Sequence, residues 1–286
     1  MFHPVDTQVP GEVEAQVQSL YLKLFPNAER AFVPRSFEWF MQCFAGHFDE
    51  YQAVDALYHD IEHTLQGTLC LTRLLYNRHQ AKVAPMLTER MFQLAILAIL
   101  FHDTGYLKKR NDTEGTGAKY TPVHVGRSAA FAREFLLKKG FPDHEIQFIQ
   151  NMISCTGVNA DLQTIPFGGE LERILGFALT TADLLGQMAA SDYVEKLPVL
   201  YQEFAEAARY SGQAKATRYA FKSPEELMRN TPDFWEHYVL PKINNDFQQL
   251  YRFLSDPYPD GPNIYLEKIE ANIRRLRQLA PAAKQG

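Results

Sequence analysis

TERMFQLAILAILFHDTG, residues 88–105, decides how this chain is read. Met91 to Phe101 is apolar on every face, which suits a helix buried on all sides and is too short for the ~20 residues of a membrane span. The stretch ends in Phe101-His102-Asp103-Thr104-Gly105, which sets an imidazole and a carboxylate where a greasy helix emerges at its C-terminal end. A helix C-terminus disfavours negative charge, and an unpaired carboxylate against apolar surface is costly. A cation answers both costs. For an isolated His-Asp dipeptide, backbone and water are the commoner partners, so the case for a metal rests on ligands elsewhere in the chain.

Outward from this helix, helical spacing dominates, and the alternation or Val/Ile/Thr clusters of strands are scarce, so the expected class is all-α. Period and breakers predict helices over 12–25, 37–51, 60–79, 88–102, 124–139, 143–154, 170–188, 191–210, 224–254 and 264–279. The breakers are Pro26-Asn27, Pro34, Gly140-Phe141-Pro142, Pro166-Phe167-Gly168-Gly169 and PYPDGP at 257–262. One long interruption, GYLKKRNDTEGTGAKYTPV at 105–123, carries Lys108, Lys109 and Arg110. A loop of that length is either a solvated excursion or functional. The expected organisation is a single helical domain over 1–286. Residues 1–50 form N-terminal helices, 51–210 a core around the metal site, and 211–286 C-terminal helices that complete the pocket.

The 286 residues are 46% hydrophobic and include 20 Phe, 14 Tyr and 2 Trp. A chain of this size buries roughly 75% of its unfolded surface and needs no disulfide to hold its fold. The three cysteines, Cys43, Cys70 and Cys155, sit in apolar stretches without C-x-x-C spacing, which suits core thiols in a reducing cytosol. A formal charge of −5 argues against a nucleic-acid polymer or an anionic membrane as partner. The first 25 residues lack an apolar run, so no secretory signal and a cytoplasmic protein are expected.

Further ligands are present. YHDIEHT at 58–64 places His59 and His63 four apart, close enough to share a site. The pattern is not a zincin's, because Asp60 replaces the general-base Glu and Glu62 points to another face. Two surface histidines are the plain alternative. In ILGFALTTADL at 174–184, Asp183 is the only charge between Arg173 and Asp192. His63, His102, Asp103 and Asp183 then make a set of two imidazoles and two carboxylates. That set suits an octahedral Zn, Fe, Mn or Mg rather than a closed structural zinc.

The order H…HD…D resembles the HD-domain superfamily of metal-dependent phosphohydrolases, most closely its class I cyclic-nucleotide phosphodiesterase branch, from about Tyr58 to Leu254. YHDIEH resembles the branch's Y-H-N-x-x-H, FHDTGY its HD motif and TTADLL its C-A-D-L-S segment. The resemblance implies a multi-helix bundle around one or two divalent cations, with His63, His102, Asp103 and Asp183 as ligands and His59 as the acid that protonates the leaving oxygen. Asp103 would bridge if a second metal binds. Val123-His124-Val125 and Asn151 to Thr156 resemble the family's N-H-H helix and L-A-T-D segment. His124 faces the site in that alignment, and Lys108, Lys109, Arg110 and Arg127 together favour an anionic substrate.

The implied activity is hydrolysis of a cyclic nucleotide or related phosphodiester by activated water, with a small anionic phosphoester as partner. Alternatives are a nucleotide phosphomonoesterase or triphosphohydrolase on the same site, a di-iron oxygenase, and a non-catalytic sensory module. The oxygenase would need further histidines: His124 is one candidate, but 154–156 holds none. Departures concern the substrate. Asp60 stands for an Asn and Tyr106 for a His. Phe234 matches the purine clamp, or is a core aromatic, while Thr231 stands where a base-reading Gln is expected.

Overall fold

The computed structural model describes residues 2–158, 160–211 and 221–279. Within them lie ten α-helices: α1 (Pro10–Leu24), α2 (Phe32–Phe44), α3 (Ile61–Gln80), α4 (Glu89–Phe101), α5 (His124–Lys138), α6 (Asp143–Ser154), α7 (Glu170–Met188), α8 (Tyr193–Ser211), α9 (Pro224–Phe234) and α10 (Ile264–Leu279). Among the described residues there is no strand, only isolated bridges at Tyr51–Lys109 and Ser255–Asn263. The all-α expectation holds. Of the segment expected over 211–286, positions 212–220 and 280–286 lie outside the described residues.

α4 is the hub. Every residue from Phe92 to Phe101 is buried, and α2, α3, α5, α6 and α7 all pack on it. Its start is fixed by Thr88, whose hydroxyl accepts from the Met91 N–H at 3.2 Å. The longest helix pairing is α3 with α7. It depends on Gly186, where a Cβ would stand 2.8 Å from the Gln66 carbonyl oxygen, and on Gly67, where a Cβ would lie 3.7 Å from the Asp183 Cα. Two backbones without side chains between them bring Asp183 up against the turn that carries His63.

Two predicted helices are redrawn. The helix expected at 37–51 runs instead over Phe32–Phe44, with Pro34 tolerated in its first turn, where its missing N–H costs nothing. It stops at Gly46, whose φ of 74° and a would-be Cβ 2.4 Å from the Ala53 nitrogen exclude a side chain. The single helix expected over 224–254 is broken. After α9 the chain widens into π-type turns at Trp235–Val239 and Lys242–Asp246, passes through Gln248 and Gln249 at φ 55° and 57°, and ends in a 3₁₀ turn at Leu250–Leu254. Pro232 and Pro241 each remove an N–H from the helical ladder and crowd the carbonyl four residues back. No single helix among the described residues is long and apolar enough to cross a membrane.

Candidate metal centre

Two helix ends and the body of a third helix bring the four residues together. Asp60 caps α3, accepting from the His63 N–H at 2.9 Å, and so fixes the first turn in which His63 points inward. His102 and Asp103 leave the C-terminal end of α4. Asp183 projects from the middle of α7. His63 Nε2 lies 3.1 Å from Asp103 Oδ2 and 3.2 Å from Asp183 Oδ1. His102 Nε2 lies 3.3 and 3.4 Å from the same two oxygens. The structure brings together all four residues that the sequence nominated.

These residues fit a cation. Metal bonds of about 2.0–2.2 Å place neighbouring donor atoms about 3.0–3.5 Å apart, the spacing seen here. The His102 Nδ1–H donates to the Ile99 carbonyl at 2.7 Å, which leaves Nε2 as a bare lone pair. That atom and Asp103 Oδ2 are buried without a hydrogen-bond partner, as is His63 Nδ1. Lone pairs facing carboxylates in an apolar shell repel unless positive charge stands among them. Burial pulls the His63 imidazole down, but the adjacent carboxylates of Asp103 and Asp183 outweigh it and raise its pKa to about 10. His102 is also raised, burial again being outweighed by the two carboxylates. Burial pushes Asp103 and Asp183 up, yet the imidazoles hold both below the usual carboxylate range, chiefly through the charge of His102.

Around the four stands a second set of rings. His59 precedes α3 rather than lying on it, and its ring is 5.3 Å from that of His63. Tyr106, wholly buried, packs nearly parallel to both His59 (4.3 Å, 12°) and His124 (4.8 Å, 22°), whose own rings are 6.2 Å apart. His124 Nδ1 donates to the Thr121 carbonyl at 2.7 Å, and its Nε2 lies 3.8 Å from Asp103 Oδ1, too far for a hydrogen bond. Burial lowers the His124 pKa, with the charges of His59 and His102 adding to the effect against the pull of Asp103. The centre opens on one side. His59, His124 and Asp183 keep 14%, 20% and 13% side-chain exposure, against 4%, 1% and 3% for His63, His102 and Asp103.

Sequence reasoning missed Glu203 and Gln187. Glu203 is buried in α8, with Oε2 2.6 Å from His59 Nδ1 and Oε1 accepting from the Tyr58 N–H at 2.8 Å. Burial pushes its carboxyl up, but the His59 charge and these hydrogen bonds hold it below its ordinary value. The signal was present: Glu203 is three residues after Leu200 and four before Ala207, on the face of α8 turned to the core. Gln187 accepts from the Tyr58 hydroxyl at 2.8 Å and reaches Asp183 Oδ1 at 3.5 Å.

The expected anion-binding residues are placed differently. Lys108 is buried, 2.8 Å from Asp55 Oδ2, and donates to the Gly115 carbonyl at 2.6 Å. Arg127 donates to the Gly105 and Leu107 carbonyls at 2.7 and 2.8 Å, with its guanidinium 3.5 Å over the Tyr120 ring. Lys109 lies over the Tyr51 ring, and Arg110 donates to the Gly46 carbonyl. These cations hold the 105–123 loop onto the bundle, because a loop this long has more backbone carbonyls than turns can satisfy. Phe234 is half exposed and stacks on Tyr238 at 5.0 Å; it is not a core aromatic. The Thr231 hydroxyl donates to the Leu227 carbonyl of its own helix at 2.8 Å.

A cavity of about 870 Å³ lies at the far end of α7 between the 160–169 loop and the π-type turn at 242–246. Glu170, on its wall, is thirteen residues before Asp183, or about 20 Å along the helix axis.

A family model described as Npun_R2479-like matches residues 109–255, just over half of the chain. The match includes His124, Asp183 and Glu203 and begins after His59, His63, His102 and Asp103. No curated protein matches the chain.

Proposed function

We propose that this chain, which belongs to the Npun_R2479-like family, is a metal-dependent phosphoester hydrolase acting on a small anionic phosphodiester such as a cyclic nucleotide. The observation that carries the reading is the convergence of His63, His102, Asp103 and Asp183 on one buried point, with the bare His102 Nε2 and Asp103 Oδ2 left unpartnered. The resemblance of the same residues to the HD-domain order supports it.

A divalent cation held by these four side chains would polarise the phosphoryl group and ease deprotonation of water. The chain's own residues supply the rest. His59 stands outside the ligand set, on the open side, with Nδ1 held by Glu203 and Nε2, 3.4 Å from the Tyr106 hydroxyl, as the nitrogen that would hand a proton to the leaving oxygen. Glu203 holds the imidazole through Nδ1 and, through the Tyr58 N–H, the backbone next to it. Tyr106 keeps the His59 ring flat against it and keeps bulk water off that face. Gln187 orients the Asp183 carboxylate. Three buried free cysteines support a cytoplasmic location.

The test is metal analysis of the purified full chain together with hydrolysis of cyclic nucleotides and bis(p-nitrophenyl) phosphate. About one bound cation or more per chain with metal-dependent turnover is expected. Full metal occupancy without hydrolysis of any phosphodiester would overturn the reading.

A further inference from the structure

We infer that Lys196 is a positioning residue for the metal centre: it clamps the first turn of α3 against α8 and so fixes where His63 points. The inference rests on the metal-dependent reading above and deepens it. Lys196 Nζ lies 2.6 Å from Glu62 Oε2, 3.7 Å from Asp192 Oδ2 and 4.0 Å from Asp60 Oδ2. Asp60 is the cap of α3, and its Oδ1 accepts from the His63 N–H at 2.9 Å. One carboxylate therefore stands between the ammonium and the backbone of the ligand residue. Glu62 extends the grip, its Oε1 accepting from the Gln66 amide at 3.2 Å and from the Thr7 hydroxyl at 3.4 Å.

A lysine in this place needs a reason. Helix N-termini favour negative charge, so an ammonium beside the first turn of α3 opposes the helix dipole. Three carboxylates offset that opposition. Burial pulls the Lys196 pKa down, but Glu62, Asp60 and Asp192 outweigh it and hold the ammonium above its ordinary value. Lys196 also stands seven residues before Glu203, which puts both on one face of α8, two turns apart. Glu203 takes the Tyr58 N–H and the His59 ring, while Lys196 takes Asp60 and Glu62. α8 thus grips residues 58–62 at two points, one beside His59 and one beside the turn that carries His63.

The test is the zinc affinity of the full chain, measured by competition with a chromophoric chelator. Lys196→Met keeps the length and removes the charge. Partners outside the ligand shell are worth about 10–100-fold in metal affinity, and a loss of about ten-fold is expected here. Lys196→Arg, which can still pair with Glu62, should recover most of it. The sign of the change separates positioning from simple charge: a cation acting only through its field repels zinc, so its removal would tighten binding. Arg275→Met, which breaks the exposed pair with Glu195 on the same helix, should leave zinc affinity unchanged. Circular dichroism checks the fold, and Lys196→Gln, polar and uncharged, gives the same reading should the methionine variant not fold. Unchanged or tighter zinc binding without the lysine, or an equal loss in Lys196→Arg or Arg275→Met, would overturn the inference. Turnover does not enter this readout. A parent that binds no zinc refutes the metal centre and the clamp with it, whereas a parent that binds zinc no better than Lys196→Met refutes the clamp alone.

Discussion

Glu203 Oε2 lies 2.6 Å from His59 Nδ1, across 144 residues of sequence. One buried carboxylate therefore ties the middle of α8 to the segment that leads into α3. Glu203→Ala leaves the imidazole and the Tyr58 N–H without their acceptor, so we expect a loss of about 3 kcal/mol in urea denaturation at pH 7.

The pH dependence of that loss has a fixed sign. The His59 imidazole and the backbone hydrogen bonds hold the Glu203 carboxyl below its ordinary value in the folded chain, against the effect of burial. Its stabilisation is therefore complete above the unfolded value and disappears as pH falls through the lower folded one. Parent and Glu203→Gln stabilities should converge below about pH 4 and diverge above about pH 5. A gap that is constant across that range would mean the carboxylate charge contributes nothing.

Asp183→Ala and His59→Ala should fail differently. The first removes a ligand oxygen and should lose bound metal. The second should keep metal and lose about 10²–10⁴-fold in turnover, the usual weight of a positioned general acid. Metal content by mass spectrometry beside kcat separates the two, and equal metal loss in both would place His59 among the ligands instead.

Gly186→Ala should disturb the centre from a distance. Its methyl would meet the Gln66 carbonyl at 2.8 Å, backbone against side chain, with no flexible group to yield. We expect about 1–3 kcal/mol of destabilisation and weaker metal affinity as α3 moves away from α7. Thermal melts with and without added metal measure both.

The thiols should be inert in the native chain. Burial pushes Cys43 and Cys155 up to about 12, and all three cysteines are free and buried. At pH 8 a disulfide reagent should therefore label three thiols rapidly in denaturant and almost none without it.

Arg127→Lys tests whether this side chain meets substrate or loop. Lysine cannot reach the Gly105 and Leu107 carbonyls in a fork while lying on Tyr120. Faster proteolysis within 108–116 with an unchanged KM is the expected result, and a raised KM in a protease-resistant loop would restore the anion-binding role.

The sequence exposed some of this design and hid the rest for physical reasons. α6 and α7 have the bounds that periodicity gave them, and Pro142 and Gly169 mark their starts. The meeting of His102 and Asp103 with His63 and Asp183 was legible because charge at the end of a largely apolar helix asks for a partner. The break after Phe234 was not, because Pro232 and Pro241 can either end a helix or be absorbed as widened turns, and tertiary packing decides. The loop cations were misjudged because a lysine near a site looks the same in sequence whether it faces a ligand or its own backbone. Lys108 and Arg127 turned inward to satisfy carbonyls that only the folded loop creates.

The plate of three rings formed by His59, Tyr106 and His124 has one more effect. An imidazole that stands alone can swing about its Cβ–Cγ bond; one pressed against a neighbour cannot turn without prising the stack apart. Both histidines are thus held against the Tyr106 ring, and their nitrogens keep one bearing.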